Sequence, residues 1–135
     1  MSDFSSLNIS PWLVKKLNLI GIKKASEIQR KVIPYIVKEK KNVFACSRTG
    51  SGKTLAYVLP ILERLMVDPR PYFALILAPT RELANQIHEI IKLLTGSDSK
   101  TNMQLVKSLL VIGGGNYGVE NNDEDVQGMV VFRKL

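Results

Sequence analysis

The sequence predicts an α/β fold, a parallel sheet with helices on its flanks. Two apolar runs of strand length, Asn42 to Cys46 and Tyr72 to Ala78, are each followed directly by a turn and a helical repeat. Successive βα units imply right-handed crossovers and therefore parallel strands with helices packed on the faces of the sheet. With 135 residues, 45% hydrophobic and 23% charged, the chain has the make-up of one globular domain and not of a disordered segment.

The elements follow in order. Ser10-Pro11 ahead of Trp12, Leu13, Val14 and Leu17 predicts a helix with Ser10 as N-cap and Pro11 at the first helical position, where its missing N–H costs nothing. Gly21 ends it. A second helix is predicted from Ser26 to about Lys38, with Ile28, Val32, Ile33, Ile36 and Val37 on its apolar face. After the Asn42–Cys46 strand and a glycine loop, a third helix runs from Lys53 to about Val67. Pro60 removes one of its backbone bonds and is expected to bend it.

Asp68-Pro69-Arg70-Pro71 stops that helix. Tyr72 to Ala78 is continuously apolar, as in a strand buried on both faces. Pro79-Thr80 then opens a helix with Leu83, Ile87, Ile90, Ile91 and Leu94 at helical spacing, closed by Gly96. His88 falls off that apolar face and is expected in solvent. A strand is predicted within Thr101 to Ile112, and Met129 to Phe132 is a further short candidate.

Composition narrows the function classes. Cys46 is the only cysteine, which excludes an intramolecular disulfide and a cysteine-built metal cluster; a reducing compartment and a small buried hydrophobe are the expectation. The N-terminus lacks a basic and apolar leader pattern and no apolar run reaches the ~18 residues of a membrane span, so a soluble, intracellular protein is expected. The net charge of +7 is uneven: +8 over residues 1–60, +1 over 61–110 and −2 over 111–135. Such an excess suits a polyanion such as nucleic acid, and equally suits solvated helix faces.

Ser47-Arg48-Thr49-Gly50-Ser51-Gly52-Lys53-Thr54, after a strand and opening a helix, has the core of a Walker A phosphate loop. Gly50 and Gly52 allow a tight turn that aims successive N–H groups at phosphate oxygens, and the following helix directs its positive end at the same anion. Lys53 is placed to reach the β- and γ-phosphates of ATP and the Thr54 hydroxyl to bind Mg²⁺. Both are the candidate catalytic residues, with Arg48, Thr49 and Ser51 completing the cradle. Ser47 stands where the general pattern has glycine, and its small side chain still lets the loop close.

Ala78-Pro79-Thr80-Arg81-Glu82-Leu83-Ala84 with Gln86 resembles motif Ia of the DEAD-box RNA helicases. Gly21 to Gln29, with Phe4 upstream, resembles their Q motif, although Ala25 stands where that family usually has proline. Gly113-Gly114 fits the family's GG element. The resemblance spans residues 4 to about 115 and implies a RecA-like domain. It implies that Gln29 hydrogen-bonds the adenine edge, that Phe4 stacks on the ring, and that Ser26 lies near the phosphates. It also implies that Pro79, Thr80, Arg81, Gly113 and Gly114 meet the RNA backbone without reading sequence. Locally, Ser26-x-x-Gln29 also spells a helix capping box and Thr80 is a good N-cap, roles that need no ligand.

The wording of the motifs resembles the nucleolar, ribosome-biogenesis branch, which implies a nuclear or nucleolar location and ribosome-assembly proteins as partners. Asp123-Glu124-Asp125-Val126 is not taken as the DEAD box, because the residues before it are polar where an apolar strand is required. Three segments are expected: a Q-motif helical segment (1–40), a P-loop core (41–115) and an atypical tail (116–135). The chain reads as the front of a first RecA-like domain, incomplete at its C-terminal end. Its predicted function is to bind ATP and RNA backbone within an ATP-dependent RNA helicase, the isolated chain being inactive. The alternatives are a catalytically incomplete nucleotide- or RNA-binding module and a small P-loop kinase, the latter disfavoured by the motif Ia segment.

Overall fold

The computed structural model describes residues 3–68, 70, 72–96, 106–112 and 128–134, the last of these as backbone. The chain divides into two compact units, 1–68 and 69–135. The division falls at 68/69, just past a helix that ends at Val67. Residues 27–37 belong to the same unit as the phosphate loop because they pack on the helix that this loop opens.

The first unit is helical. A 3-10 turn, Ser5–Leu7, leads into α1 (Pro11–Leu19), α2 (Glu27–Val37) and α3 (Lys53–Val67). Phe4, Leu13, Leu17, Ile33, Leu59, Leu62 and Leu65 are all fully buried and form its core. Each contributes about 1.5–3 kcal/mol by leaving water. Ser10 occupies the N-cap position of α1 and Pro11 the first turn, as predicted, but the Ser10 side chain makes no capping bond. Its Oγ donates to Glu63 Oε1 on α3 at 2.6 Å, and its backbone N–H donates to the same oxygen at 2.8 Å. A tertiary acceptor has displaced the local one. Pro60 is buried in mid-helix without ending α3, and Pro34 is a second interior proline, in α2.

Residues 42–46 are not a strand. The described residues of the unit that contains them include no strand to complete a ladder, and an extended backbone without a partner has no reason to become one. Phe44 is fully exposed, and Cys46 is exposed too, contrary to its expected burial.

The second unit is a helix on a three-stranded sheet: β1 (Ala74–Ala78), α4 (Arg81–Thr95), β2 (Val106–Ile112) and β3 (Gly128–Lys134). The sheet order is β1-β3-β2. β3 pairs antiparallel with both neighbours, Ala74 opposite Phe132 and Val106 opposite Lys134 at the ends of the two ladders. β1 and β2 thus run in the same direction, as successive βα units require, but the predicted direct parallel pairing is replaced by two antiparallel ladders. β3 can satisfy its backbone on both sides only in the middle.

α4 packs on this sheet through Ala84, Ile87, Ile91 and Leu94, all buried. Thr80 caps it, its Oγ1 accepting the Leu83 N–H at 3.2 Å. β1 is buried on one face only: Leu75 and Leu77 are more than half exposed. His88 is half-buried instead of in solvent, with Nε2 at 3.3 Å from the Ser108 carbonyl oxygen, because β2 lies beneath that turn of α4.

The Ser10–Glu63 bonds are the cross-link between the start of α1 and α3. Glu63→Ala is expected to cost about 1–2 kcal/mol, as for a part-buried bond to a charged acceptor. Urea unfolding followed by circular dichroism checks this; an unchanged midpoint would show that the contact carries no stability.

Candidate functional site

The phosphate loop lies in the first unit, between residue 46 and the start of α3. Gly50 and Gly52 have φ of +79° and +91°, a region closed to most L-residues, so the loop depends on them. Gly52 is the N-cap of α3 and has no side chain with which to cap it. The N–H groups of Lys53, Thr54 and Leu55 therefore point out of the helix end without intrahelical acceptors, where an anion is favoured by both hydrogen bonding and the dipole. The first backbone bond of this helix is Ala56 N–H to Gly52 O at 3.3 Å.

Lys53 Nζ donates to the carbonyl oxygens of Ser47 and Arg48, the latter at 2.9 Å. Ser47 and Ser51 join their hydroxyls across the loop at 2.6 Å. Ser47, in the place of the motif's first glycine, thus acts as a strut. Thr54 is hydrogen-bonded to Tyr57 one turn along. Burial pushes the Tyr57 hydroxyl above its ordinary value while that bond pulls the other way, so at neutral pH the group stays protonated and available as a donor.

A cavity of about 530 Å³ opens beside the loop. Its walls are the first turn of α2 (Ser26 to Ile28, with Lys31) and residues 46–51. The space is large enough for a nucleotide-sized ligand. Cys46 belongs to this wall.

Gln29 is buried and uses both ends of its amide: Oε1 accepts the Ser26 N–H at 2.9 Å, and Nε2 donates to Gly52 O at 3.0 Å. Half of the capping box read from Ser26-x-x-Gln29 is therefore present in space: Gln29 accepts the Ser26 N–H, while Ser26 Oγ makes no capping bond. Each end of the amide keeps one further bonding position, an N–H and an oxygen lone pair, for the adenine contact expected of it. Phe4 is enclosed, with no exposed surface, and is a core residue here instead of a stacking face. Its ring precedes α1, whose Leu13 and Leu17 share its core. Ser26 Oγ is the one buried side-chain polar atom among the described residues with no partner. Such an orphan calls for an explanation.

A Cβ added to Gly52 would lie 2.5 Å from Gln29 Nε2 and 2.8 Å from Ser26 Oγ. The pattern of glycines was legible in sequence; the bond from Gln29 to Gly52 was not, because the two are 23 residues apart. The donor set fits a nucleotide triphosphate: free helix N–H groups, a lysine ammonium, an orphaned hydroxyl and a glycine-walled cradle.

In the second unit Pro79, Thr80 and Arg81 are exposed at the N-terminal end of α4. The Thr80 Oγ1 accepts the capping bond, which leaves its hydrogen free to donate. Gly113 and Gly114 lie outside the described residues, as does Asp123-Glu124-Asp125-Val126.

Comparison with known proteins agrees with these motifs. The family model for the DEAD/DEAH box helicases matches residues 26–128. The chain belongs to the DEAD/DEAH box helicase family. The relatives it resembles include the ATP-dependent RNA helicases dbp8 of Aspergillus clavatus, 44% identical over 113 residues, and DBP8 of Gibberella zeae, 43% identical over 115 residues. These alignments cover 84% and 85% of this chain, and the chain spans only 20% of each relative's length.

Among solved structures, the chain is similar to Prp28 of Chaetomium thermophilum bound to ADP (TM-score 0.62, 33% identity) and to S. cerevisiae Dbp5 bound to RNA and ADP BeF3 (TM-score 0.60, 32% identity). Each match covers 70% of this chain and 24% of the other. The α/β, RecA-like class read from the sequence therefore holds, as a partial domain.

Gly52→Ala is expected to destabilise the chain by about 1–3 kcal/mol, the usual cost of a strained backbone position, and to abolish binding of a fluorescent ATP analogue. Phe4 supplies a second prediction. Phe4→Ala should cost about 3–5 kcal/mol as a buried aromatic truncation, whereas Phe4→Leu should leave nucleotide affinity unchanged. Titration of the folded Phe4→Leu chain decides, since a ring stacked on adenine would be missed.

Proposed function

We propose that this chain supplies the part of an ATP-dependent RNA helicase that binds the phosphates of ATP and contacts the RNA backbone. The observation that carries this reading is the loop 47–54, which walls the cavity with residues 47–51, holds the Lys53 ammonium on two of its carbonyls and ends at the uncapped N-terminus of α3. The names of the relatives support the same activity, as does the ADP bound by Prp28 and the RNA bound by Dbp5.

In this reading Lys53 exchanges the carbonyls of Ser47 and Arg48 for phosphate oxygens. The α3 N–H groups hold the same anion, and Ser26 Oγ gains the partner it lacks. Thr54 turns its hydroxyl to Mg²⁺, which when bound neutralises phosphate charge during transfer. Gln29 offers its remaining N–H and lone pair to the adenine edge, whereas Phe4, fully enclosed, meets the ring only if ligand binding rearranges its contacts. Thr80 and Arg81 hold RNA by its phosphates, by hydroxyl and by charge, at a helix end that favours anions. Unwinding is proposed for the whole protein, in which a second lobe closes on the RNA, and these 135 residues supply binding. A nuclear or nucleolar location and ribosome-assembly partners, suggested by the wording of its motifs, belong to the same proposal, and microscopy of the tagged protein tests them.

Lys53→Ala is expected to weaken binding of a fluorescent ATP analogue by about tenfold or more, which is about 1.4 kcal/mol or more. Unchanged affinity overturns the nucleotide assignment. Arg81→Ala should weaken RNA of any sequence alike and reduce the log–log salt slope by about 0.7, the contribution of one single-strand phosphate contact. A weakening confined to one sequence would point to base recognition instead.

A further inference from the structure

The net charge of the chain lies wholly in its first unit. Residues 1–68 hold 12 Lys/Arg against five Asp/Glu, a balance of +7, while residues 69–135 hold seven of each. Yet the motif-placed RNA contacts lie in the neutral unit. Within the basic unit the nucleotide loop accounts for Arg48 and Lys53, and Arg30 is paired with Asp3 at 2.7 Å. Lys31 lines the nucleotide cavity and is paired with Glu27 at 2.7 Å. The other lysines are unexplained by either site.

Three of them, Lys38, Lys40 and Lys41, follow closely on one another just past the end of α2, and one of them stands over an exposed aromatic ring. Tyr35 is 47% exposed, and Lys41 Nζ stands 5.8 Å from the centre of its ring. Lys38 is one turn along from Tyr35 on the same helix side. The chain is folded back to make this arrangement: the Lys38 and Glu39 N–H groups both reach Pro34 O, at 2.9 and 3.3 Å, and the Lys41 N–H reaches Tyr35 O at 3.0 Å.

The reversal needs a left-handed residue, and Lys40 takes it, at φ +53°. Glycine or asparagine fills such a position at lower cost. Lysine at this position therefore runs against the local backbone preference.

From this cluster we infer a second RNA contact, separate from motif Ia, in which Lys38, Lys40 and Lys41 hold phosphates of a single strand and the free face of Tyr35 stacks a base. A ring set among cations is the usual platform for single-stranded nucleic acid, because every base offers a π-face and every nucleotide a phosphate. The Lys41–Glu39 pair does not preclude it, since both side chains are well exposed and such pairs exchange readily for phosphate. The helix C-terminus favours one or two cations by its dipole. It does not call for an exposed tyrosine among them.

Binding of a fluorescein-labelled single-stranded 12-mer to the full chain, followed by anisotropy over a salt series, tests this. The triple variant Lys38→Ala, Lys40→Ala, Lys41→Ala should flatten the log–log salt slope by about 2, at about 0.7 for each phosphate no longer neutralised. Tyr35→Leu should weaken binding about fivefold or more with the slope unchanged, as expected when one stacked base is released. Both should retain wild-type affinity for a fluorescent ATP analogue. Lys40→Gly separates function from folding: it should raise the melting temperature while lowering RNA affinity.

RNA affinity and slope unchanged in the triple variant and in Tyr35→Leu would overturn the inference. So would polyglutamate of equal charge binding as tightly as RNA, which would assign the patch to an acidic protein.

Discussion

The side-chain amide of Gln29 holds the candidate site together. It is one planar group with a donor end and an acceptor end, and it spends the acceptor on the first turn of α2 and the donor on Gly52, at the base of the phosphate loop. Because Gln29 is buried, losing either partner would leave a polar atom without water to replace it. The start of α2 and the start of α3 are therefore fixed relative to one another by a single rigid bracket. The cavity wall, the uncapped α3 N-terminus and the close approach at Gly52 all follow from that fixed spacing. Glu63 plays the same part at the other side of the unit, joining α3 to α1 through two bonds to one carboxylate oxygen.

The same bracket shows why motif residues can change roles with the state of the site. A glutamine suited to read an adenine edge is equally suited to cap a helix and brace a loop, since all three tasks require one donor beside one acceptor. In this conformation the internal partners hold one position at each end of it. Lys53 is engaged likewise, by carbonyls of its own loop. The groups best able to bind a nucleotide thus satisfy one another across the loop, and Ser26 Oγ is left over.

What could be read from the sequence was largely what is local. The limits of α3 and α4 follow from Gly52, Asp68, Thr80 and Gly96, each within a residue or two of the bonds it controls. The cradle was legible for the same reason, as was the Gln29 half of the capping box. Burial of Phe4, exposure of Cys46 and the engagement of His88 were not, because they depend on which distant segment lies against each. Strand pairing was the least legible. Apolar runs identify β1 and β2, but nothing in either run states that a segment some 20 to 50 residues later will lie between them, and nothing in 42–46 states that its own unit will offer it no partner strand among the described residues.

The central position of β3 has a consequence for how the chain comes into being. During synthesis the first unit has all its helices once residue 67 has emerged, and its contacts are mostly between neighbouring elements, which form quickly. The second unit cannot assemble in that piecemeal way. β1 and β2 share no ladder of their own, so α4 has no finished surface to rest on until residues 128–134 arrive to join them. On the ribosome the helical unit with its phosphate cradle would therefore fold while the sheet unit is still waiting for β3.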